Sequence, residues 1–325
     1  MSNKLQFVEA LQERYSCGEL QQTEVCWTKE KIVKSSELKK VLEYVAADAE
    51  VKKLPIAERR VKDDENGLKF RLPEGTEIEE VETENFKGEW VRTPDVRKDA
   101  AMLYLHGGAY VFCSPRSHRH LVAGLSAATN LPAFALDYRL APEAPFPAAI
   151  DDVVSAYHWL LAQGFSPDKI IVAGDSAGGG LTLALMISLR EAELPLPAAG
   201  VLICPWVDLT LAGASYSATP EAQATWERLV KLVQLYLHGA EVKNPLASPL
   251  YADLSGLSPL LIHGGTADPF FSDSVSLEPI AKAAGIDVTL EVWEDMVHIW
   301  HYYHPMLSEG REAIAKIGEF VKAKI

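Results

Sequence analysis

One stretch decides the fold: Lys169-Ile-Ile-Val-Ala-Gly-Asp-Ser176-Ala-Gly-Gly-Gly-Leu-Thr-Leu-Ala-Leu-Met186. Its β-branched start, residues 169–173, is typical of a buried parallel strand, whereas residues 181–190 favour a helix. Between them, residues 174–178 match the pattern G-x-S-x-G. So abrupt a strand-to-helix turn needs a strained backbone, and a Cβ on either glycine would collide with the neighbouring strand and helix. The pattern therefore predicts a sharp turn that holds Ser176 Oγ above the sheet, at the positive end of the following helix.

Short apolar strands alternate with helices on both sides of this turn. Residues 68–72 and 90–93 alternate apolar and polar side chains around the acidic stretch 77–84, which predicts antiparallel edge strands. Further strands are predicted at residues 101–105, 132–137, 200–204, 259–263 and 287–293, with helices at about 117–129, 148–162, 274–284 and from about 306 onward. Strands separated by helices predict an α/β fold with a mostly parallel central sheet flanked by helices.

Two segments interrupt this alternation. Residues 1–60 are polar and helical in character, and residues 207–247 contain no predicted strand and one clear helix, at about 220–237. We predict that 1–60 and 207–247 form a helical cap on a catalytic domain made of 61–206 and 248–325, one domain overall. Apolar residues at helical spacing, such as Leu5, Val8 and Leu11, suggest that the N-terminal segment covers an apolar pocket. The alternatives are that this segment packs on the far side of the sheet or that it only mediates association.

Composition excludes several classes of partner. The 325 residues carry a net charge of −14, which disfavours nucleic acid or an anionic membrane surface as a partner. No run approaches the roughly 18 apolar residues of a membrane span, and the first residues lack the apolar core of a signal peptide. The four cysteines, Cys17, Cys26, Cys113 and Cys204, form no C-x-x-C pair, as in reduced cytosolic proteins. These features predict a cytoplasmic protein.

Two further motifs follow predicted strands. In His106-Gly-Gly-Ala-Tyr110, adjacent glycines let the backbone turn its N–H groups outward, as a developing oxyanion requires, although a simple Gly-Gly turn has the same sequence. Asp268 follows a strand at the sheet edge where α/β sites form, although an aspartate before a proline is also a common turn residue.

The segment after the last predicted strand contains His298, His301 and His304. Their spacing suggests a metal-binding face at first, but no cysteine or acidic residue is placed to complete a ligand set, so we predict no metal site. His298 is nearest the strand end and is the best candidate for a catalytic base. We expect His301 and His304 to be surface or core residues.

Serine, aspartate and histidine therefore follow successive strands in the order of the α/β-hydrolase fold. With these motifs the chain resembles the hormone-sensitive-lipase-like carboxylesterases of the bacterial group, over about residues 95–325. The matching residues are His106-Gly107-Gly108-Ala109-Tyr110, Asp137-Tyr138-Arg139-Leu140-Ala141-Pro142-Glu143, Gly174-Asp175-Ser176-Ala177-Gly178-Gly179, Asp268-Pro269 and His298.

The resemblance implies a catalytic triad. Ser176 would be the nucleophile, His298 the base that takes its proton, and Asp268 the acid that fixes the imidazole tautomer and stabilises its cation. Arg139 and Glu143 would brace the loop that supports the site. No metal or organic cofactor is implied.

The resemblance also implies an oxyanion hole at Gly107, Gly108, Ala109 and Ala177. Backbone N–H groups of Gly108, Ala109 and Ala177 would bind the oxyanion, and Gly107 would shape the turn. The family most often has a third glycine at position 109, and the extra Cβ here puts the acceptance of bulky alcohols in doubt. Where the family often has glycine and phenylalanine after the base, this chain has Ile299 and Trp300.

These features predict a serine carboxylesterase that hydrolyses small to medium acyl esters through an acyl-enzyme. The same triad would serve a lactone hydrolase or a deacetylase of a larger acetylated alcohol, such as a sterol, and a non-catalytic small-ligand receptor is disfavoured because all three triad residues are present. Residues 287–293 are expected at a sheet edge, where two copies could pair as a homodimer.

Overall fold

An eight-stranded sheet organises residues 35–47, 50–217 and 220–325, which the computed structural model describes. Its strands are β1 (Glu77–Glu82), β2 (Lys87–Arg92), β3 (Ala101–Leu105), β4 (Ala133–Asp137), β5 (Ile170–Asp175), β6 (Ala199–Ile203), β7 (Leu260–Gly265) and β8 (Val288–Trp293). The strand order is β1-β2-β4-β3-β5-β6-β7-β8. The β1–β2 and β2–β4 pairs are antiparallel and all others are parallel. The predicted mostly parallel sheet is confirmed.

Helices cover both faces of this sheet. Those in the described residues are α1 (Ser36–Ala47), α2 (Ile56–Gly67), α3 (Pro115–Thr129), α4 (Ala148–Ala162), α5 (Ala177–Glu191), α6 (Pro220–Leu237), α7 (Phe271–Ala283) and α8 (Ser308–Lys322). Leu103 faces the apolar cluster that contains α4, α5 and α6, whereas its neighbour Met102 faces the cluster that contains α1, α3 and α8. Because both faces are covered, the central strands are continuously apolar rather than alternating.

The prediction of an edge strand at residues 68–72 is wrong. Helix α2 ends at Gly67, and residues 68–72 form a turn and an extended segment outside the sheet. Phe70 instead stacks on His120 of α3, with ring centroids 4.2 Å apart. The edge strand lies on the acidic stretch, where β1 exposes its glutamates to solvent and Glu79 pairs with Arg92 of β2. Alternation along residues 68–72 reflects packing against a helix, not a pleated strand.

Helix α1 of the first predicted cap segment and helix α6 of the second lie on different faces of the sheet, whereas Ile56, also in the first segment, packs against the same cluster as α6. Leu38 and Val41 of α1 are buried in the cluster that contains α8, and Glu37 accepts hydrogen bonds from Ser308. Helix α6 packs in the opposite cluster, through residues such as Tyr236. Helix α2 runs across the predicted boundary between residues 60 and 61. The proposed lid residues 1–34 lie outside the described part of the chain.

Strand β8 closes one end of the sheet, and within the described part of the chain it pairs only with β7. The last strand is therefore an edge, as predicted, while the homodimer remains a prediction. None of the helices in residues 35–47, 50–217 and 220–325 is both long enough and apolar enough to cross a bilayer.

Candidate active site

Ser176 occupies the strained turn that the sequence predicts. It lies between β5 and α5 with φ 53° and ψ −118°, a region that non-glycine residues rarely adopt. A Cβ on Gly174 would overlap the Gly178 carbonyl, and one on Gly178 would overlap the Leu105 carbonyl. These contacts confirm why the turn needs both glycines. The backbone N–H of Ser176 donates to the Ile203 carbonyl at the end of β6 (2.9 Å), which fixes the serine against the neighbouring strand.

The segment His106–Cys113, here called the oxyanion loop, follows β3 with an unusual backbone. Gly108, Ala109 and Tyr110 all have positive φ, at 111°, 55° and 61°. The N–H groups of Gly108, Ala109 and Ala177 donate no hydrogen bond within the described residues, so they are available to an anion. The Gly107 N–H, in contrast, donates to Asp175 Oδ1 at 3.0 Å. Gly107 therefore anchors the turn and does not supply a donor.

Asp268 and His298 are in direct contact. Nδ1 of His298 lies 2.9 Å from Asp268 Oδ1 and 3.0 Å from Oδ2. The Asp268 carboxylate is buried, and its Oδ1 also accepts from the Phe270 N–H at 2.9 Å. A buried acceptor-only group facing Nδ1 holds the proton on that nitrogen and leaves Nε2 free to accept one.

Ser176 is connected to Asp268 and His298 by contacts at the ends of the strands and not by a direct hydrogen bond. In the described residues no hydrogen bond joins the Ser176 hydroxyl to His298; such bonds are often long in unliganded enzymes and tighten when substrate binds. Cys204 provides the link, because it directly follows Ile203, which holds the Ser176 N–H, and its thiol lies beside Asp268 and His298.

Sequence reasoning missed Cys204 as a site residue. Its Sγ accepts from the N–H of Ile299, the residue after His298, at 3.3 Å. The same sulfur, Asp268 and His298 offer ligand atoms within 4.8 Å of one another, so a thiophilic metal ion is the group that these residues could hold. Burial and the nearby Asp268 carboxylate raise the pKa of the Cys204 thiol well above its ordinary value, which disfavours the thiolate that a metal would need.

The other two histidines of the segment point elsewhere. His301 is fully buried, and its Nε2 lies 2.9 Å from Nδ1 of His263 on β7. His304 donates to the His120 carbonyl on α3 at 3.2 Å. Their side chains therefore have separate partners and do not converge with His298.

An aromatic row runs from the cap helix to the base. Tyr236 of α6 stacks on Tyr110 of the oxyanion loop, and Trp206 lies 6.0 Å from Tyr110, between ring centroids. Phe270 follows at 5.4 Å from Trp206 and 4.7 Å from His298. Trp206 is fully buried, and its backbone N–H donates to the Ser176 carbonyl at 2.9 Å. This row therefore forms a wall beside the serine.

Arg60 braces the oxyanion loop directly, and Arg139 braces the segment that follows β4. Arg139 pairs with the buried Asp152, and Glu143 pairs with Arg60 of α2. Arg60 also donates to the Val111 carbonyl at 2.8 Å, in the loop itself. The bracing interactions expected of Arg139 and Glu143 are present, whereas nothing in the sequence around Arg60 indicated its part in them.

Comparison with known proteins agrees with this geometry. Residues 102–302 match a family model described as the alpha/beta hydrolase fold. A crystal structure of an esterase from the bacterial hormone-sensitive lipase family is 42% identical, with a TM-score of 0.85 over 90% of this chain and all of that one. The chain belongs to the hormone-sensitive-lipase family of α/β-hydrolase esterases.

Two other relatives of this esterase are informative. An acetyl-hydrolase of Streptomyces hygroscopicus is 47% identical over 236 residues, which cover 72% of this chain and 79% of that protein. A second crystal structure, of the esterase EstE5 soaked with p-nitrophenyl butyrate, is 42% identical, with a TM-score of 0.85 over 89% of this chain and 99% of that one.

Proposed function

We propose that this esterase is a serine carboxylesterase in which Ser176 is the nucleophile, His298 the general base and Asp268 the orienting acid. One observation carries the assignment. The buried Asp268 carboxylate holds Nδ1 of His298 at the same sheet edge where the strained turn presents Ser176. No cofactor enters this chemistry.

The geometry supports a two-step reaction. Nε2 of His298 takes the proton of Ser176 while Oγ attacks the ester carbonyl, and the resulting oxyanion accepts hydrogen bonds from Gly108, Ala109 and Ala177. The imidazolium, stabilised by Asp268, then protonates the leaving alcohol, and an acyl-enzyme forms. Water activated by His298 attacks the acyl-enzyme in the same way, which releases the carboxylic acid and restores Ser176.

The aromatic wall favours short acyl groups. Trp206 and Phe270 are large, buried and in contact with each other beside the serine and the base. The names of the relatives agree, since they refer to an acetyl-hydrolase and to a butyrate ester. A lactone hydrolase or a deacetylase of a larger acetylated alcohol would use the same groups. A panel that varies acyl and alcohol parts independently, with a lactone included, separates these activities.

The assignment is tested with p-nitrophenyl acetate and butyrate. Ser176→Ala and His298→Ala should each lose on the order of a millionfold in kcat while the proteins remain folded. Treatment with an organophosphate should add one phosphoryl group, located on Ser176 by peptide mass spectrometry. Full turnover by Ser176→Ala would overturn the assignment, as would labelling of another residue. His304→Ala is the matched control and should keep most of the activity.

The proposed partners follow from the esterase assignment and from the composition of the chain. The substrate is a small-molecule ester, and neither nucleic acid nor a membrane is involved. Pairing of two β8 edges across a two-fold axis would give a homodimer, which light scattering at micromolar concentration tests. A cytoplasmic location, which cell fractionation tests, is proposed because the four scattered cysteines form no C-x-x-C pair in the sequence.

A further inference from the structure

Asp175, the residue before Ser176, connects three parts of the site. Its side chain is fully buried, and its Oδ1 accepts from the Tyr104 hydroxyl at 2.6 Å and from the Gly107 N–H of the oxyanion loop at 3.0 Å. Its Oδ2 lies 3.4 Å from Nε2 of His118 on α3. Neither Oδ2 nor this nitrogen has another hydrogen-bond partner in the described residues. Within this part of the chain, each of the two atoms is therefore the only partner that offsets the free-energy cost of removing the other from water.

His118 faces an acceptor at each ring nitrogen. Nδ1 lies 2.9 Å from Ser117 Oγ. That hydroxyl also lies 2.7 Å from the Ser114 carbonyl, and when it donates its proton there it accepts from His118. Nε2 faces the Asp175 carboxylate. A neutral imidazole has a single N–H, so with the Ser117 hydroxyl proton on the Ser114 carbonyl the two acceptors match the doubly protonated, cationic ring.

The histidine, tyrosine and cysteine side chains around His118 supply no competing cation. The His106 ring is 5.8 Å away, and burial lowers its pKa to about 3, so it is neutral at pH 7. Burial lowers the pKa of His120, which interacts with His118, to about 3. The rings of Tyr104 and Tyr302 also face His118, and burial raises the pKa of each, as it does for Cys113 of the loop. All of these groups are uncharged at neutral pH.

A second acid acts on the pair from α2. Asp63 lies close enough to favour the charged form of His118, and it forms its own ion pair with Arg59 at 3.5 Å. Burial lowers the pKa of His118, but the Asp175 carboxylate, together with Asp63, outweighs burial and leaves this pKa above its ordinary value. Burial raises the pKa of Asp175, but the nearby His118 lowers it by more, so this pKa is below its ordinary value. Both directions correspond to an ion pair.

We propose that His118 is a buried cation that positions the oxyanion loop through Asp175. The positive charge keeps Asp175 ionised, and the ionised carboxylate holds the Gly107 N–H. That bond sets the direction of the next two N–H groups, those of Gly108 and Ala109. His118 and Asp175 are positioning residues, because neither touches the substrate. The proposal rests on the proposed function, since it assigns the loop to oxyanion binding.

The ion pair has a consequence for stability on the alkaline side. A histidine whose pKa is raised by folding stabilises the protein fully below its unfolded value, about 6.5, and this contribution is lost as pH rises through the folded-state pKa. As pH rises above neutral, the Tm of the wild type should therefore fall more than the Tm of the double variant His118→Gln/Asp175→Asn, in which both charges are absent.

Three variants test the coupling: His118→Gln, Asp175→Asn and the double variant. Gln keeps a neutral donor near the position of Nε2, and Asn keeps the shape of the aspartate. His118→Gln leaves a buried carboxylate without its cation, and we expect about a 100-fold loss of kcat on p-nitrophenyl acetate with KM changed less than about threefold. Adding Asp175→Asn should then raise kcat by about tenfold, because both charges are gone. Independent structural roles would instead make the losses multiply, which would overturn the proposal.

The positive charge on His118 can be observed by NMR, without an activity assay. In protein labelled with ¹⁵N-histidine, the resonances that disappear in His118→Gln identify this ring, and both nitrogens should be protonated at pH 7.5. A neutral ring at that pH would overturn the proposal. The same spectrum in Ser176→Ala should retain the cationic signal. If Ser176→Ala is active but the signal is cationic, the proposed function fails while the ion pair stands.

Discussion

The rings of Tyr110 and Tyr236 are stacked, with centroids 3.8 Å apart and planes 7° from parallel. Tyr110 belongs to the oxyanion loop and has positive φ, whereas Tyr236 lies near the end of the cap helix α6. The Tyr236 backbone is held as well, since its carbonyl accepts from the Phe146 N–H at 2.8 Å. Helix α6, which we predict to belong to a cap, and the oxyanion loop therefore share an aromatic contact.

Removing this contact should weaken transition-state binding. Tyr236→Ala deletes a fully buried ring, so we expect about 3–5 kcal/mol less stability and a loosened loop that lowers kcat by at least about tenfold. Tyr236→Phe is the matched control, because the Tyr236 hydroxyl has no hydrogen-bond partner in the described residues and the stack remains. Kinetics on acetate and butyrate esters, with thermal unfolding of each variant, provide the test. Equal kcat in the Ala and Phe variants would show that the loop does not depend on the cap.

Cys204 should influence the orientation of the base through its contact with Ile299. Cys204→Ala removes the acceptor of the Ile299 N–H, and one hydrogen bond of about 1 kcal/mol corresponds to about fivefold in kcat. Cys204→Ser restores an acceptor at nearly the same place and should recover most of that loss. If Ser is as impaired as Ala, the sulfur acts through its volume instead.

Ala109 should restrict the alcohol part of the substrate. Its methyl group stands in the oxyanion loop, where a glycine would leave space, so Ala109→Gly should raise the rate on tert-butyl acetate relative to ethyl acetate by about fivefold or more. The left-handed backbone at position 109, φ 55°, costs alanine about 1 kcal/mol of strain, which glycine avoids. Glycine in turn makes the unfolded chain more flexible, which costs a similar free energy on folding, so the stability should change little. Ala109→Ser keeps the Cβ and should show no such gain. A parallel gain in the serine variant would mean that the methyl group is not the barrier.

The sequence predicted correctly those elements whose residue pattern has a single structural explanation. Helices α4 and α6 begin and end where periodicity placed them, and the glycines around Ser176 are needed for the reason that the motif suggested. Alternation at residues 68–72 was misleading, because Phe70 and Leu72 pack inward while Leu68 stays exposed outside any sheet. Strand β1, with four glutamates in six residues, lacks strand composition and forms because an edge can be solvated.

Parts of the site depend on contacts that sequence spacing does not encode. Asp175 occupies the variable position of G-x-S-x-G, and its partner His118 is 57 residues earlier in the chain. Cys204 follows a buried strand as any strand-ending residue would. In each case the side chain acquires its function only when different strands and helices bring the partners together, so one sequence cannot show it.

The last prediction separates the N-terminal segment from helix α1. Deleting residues 1–34 leaves α1 in place, so we expect the Tm to change little. If the deleted segment covers the acyl pocket, the rate on short esters should fall and the preference among acetate, butyrate and octanoate esters should shift. An unchanged profile would exclude the lid.

Deleting residues 1–47 is the matched comparison. It also removes α1, and with it the buried Leu38 and Val41 and the hydrogen bonds from Ser308 to Glu37. Burial of two such side chains is worth about 3–6 kcal/mol, so this longer deletion should lower the Tm markedly. Because α1 packs against α8, on the opposite face from α6, a change in acyl preference that appears only in the longer deletion would assign the effect to stability rather than to a lid.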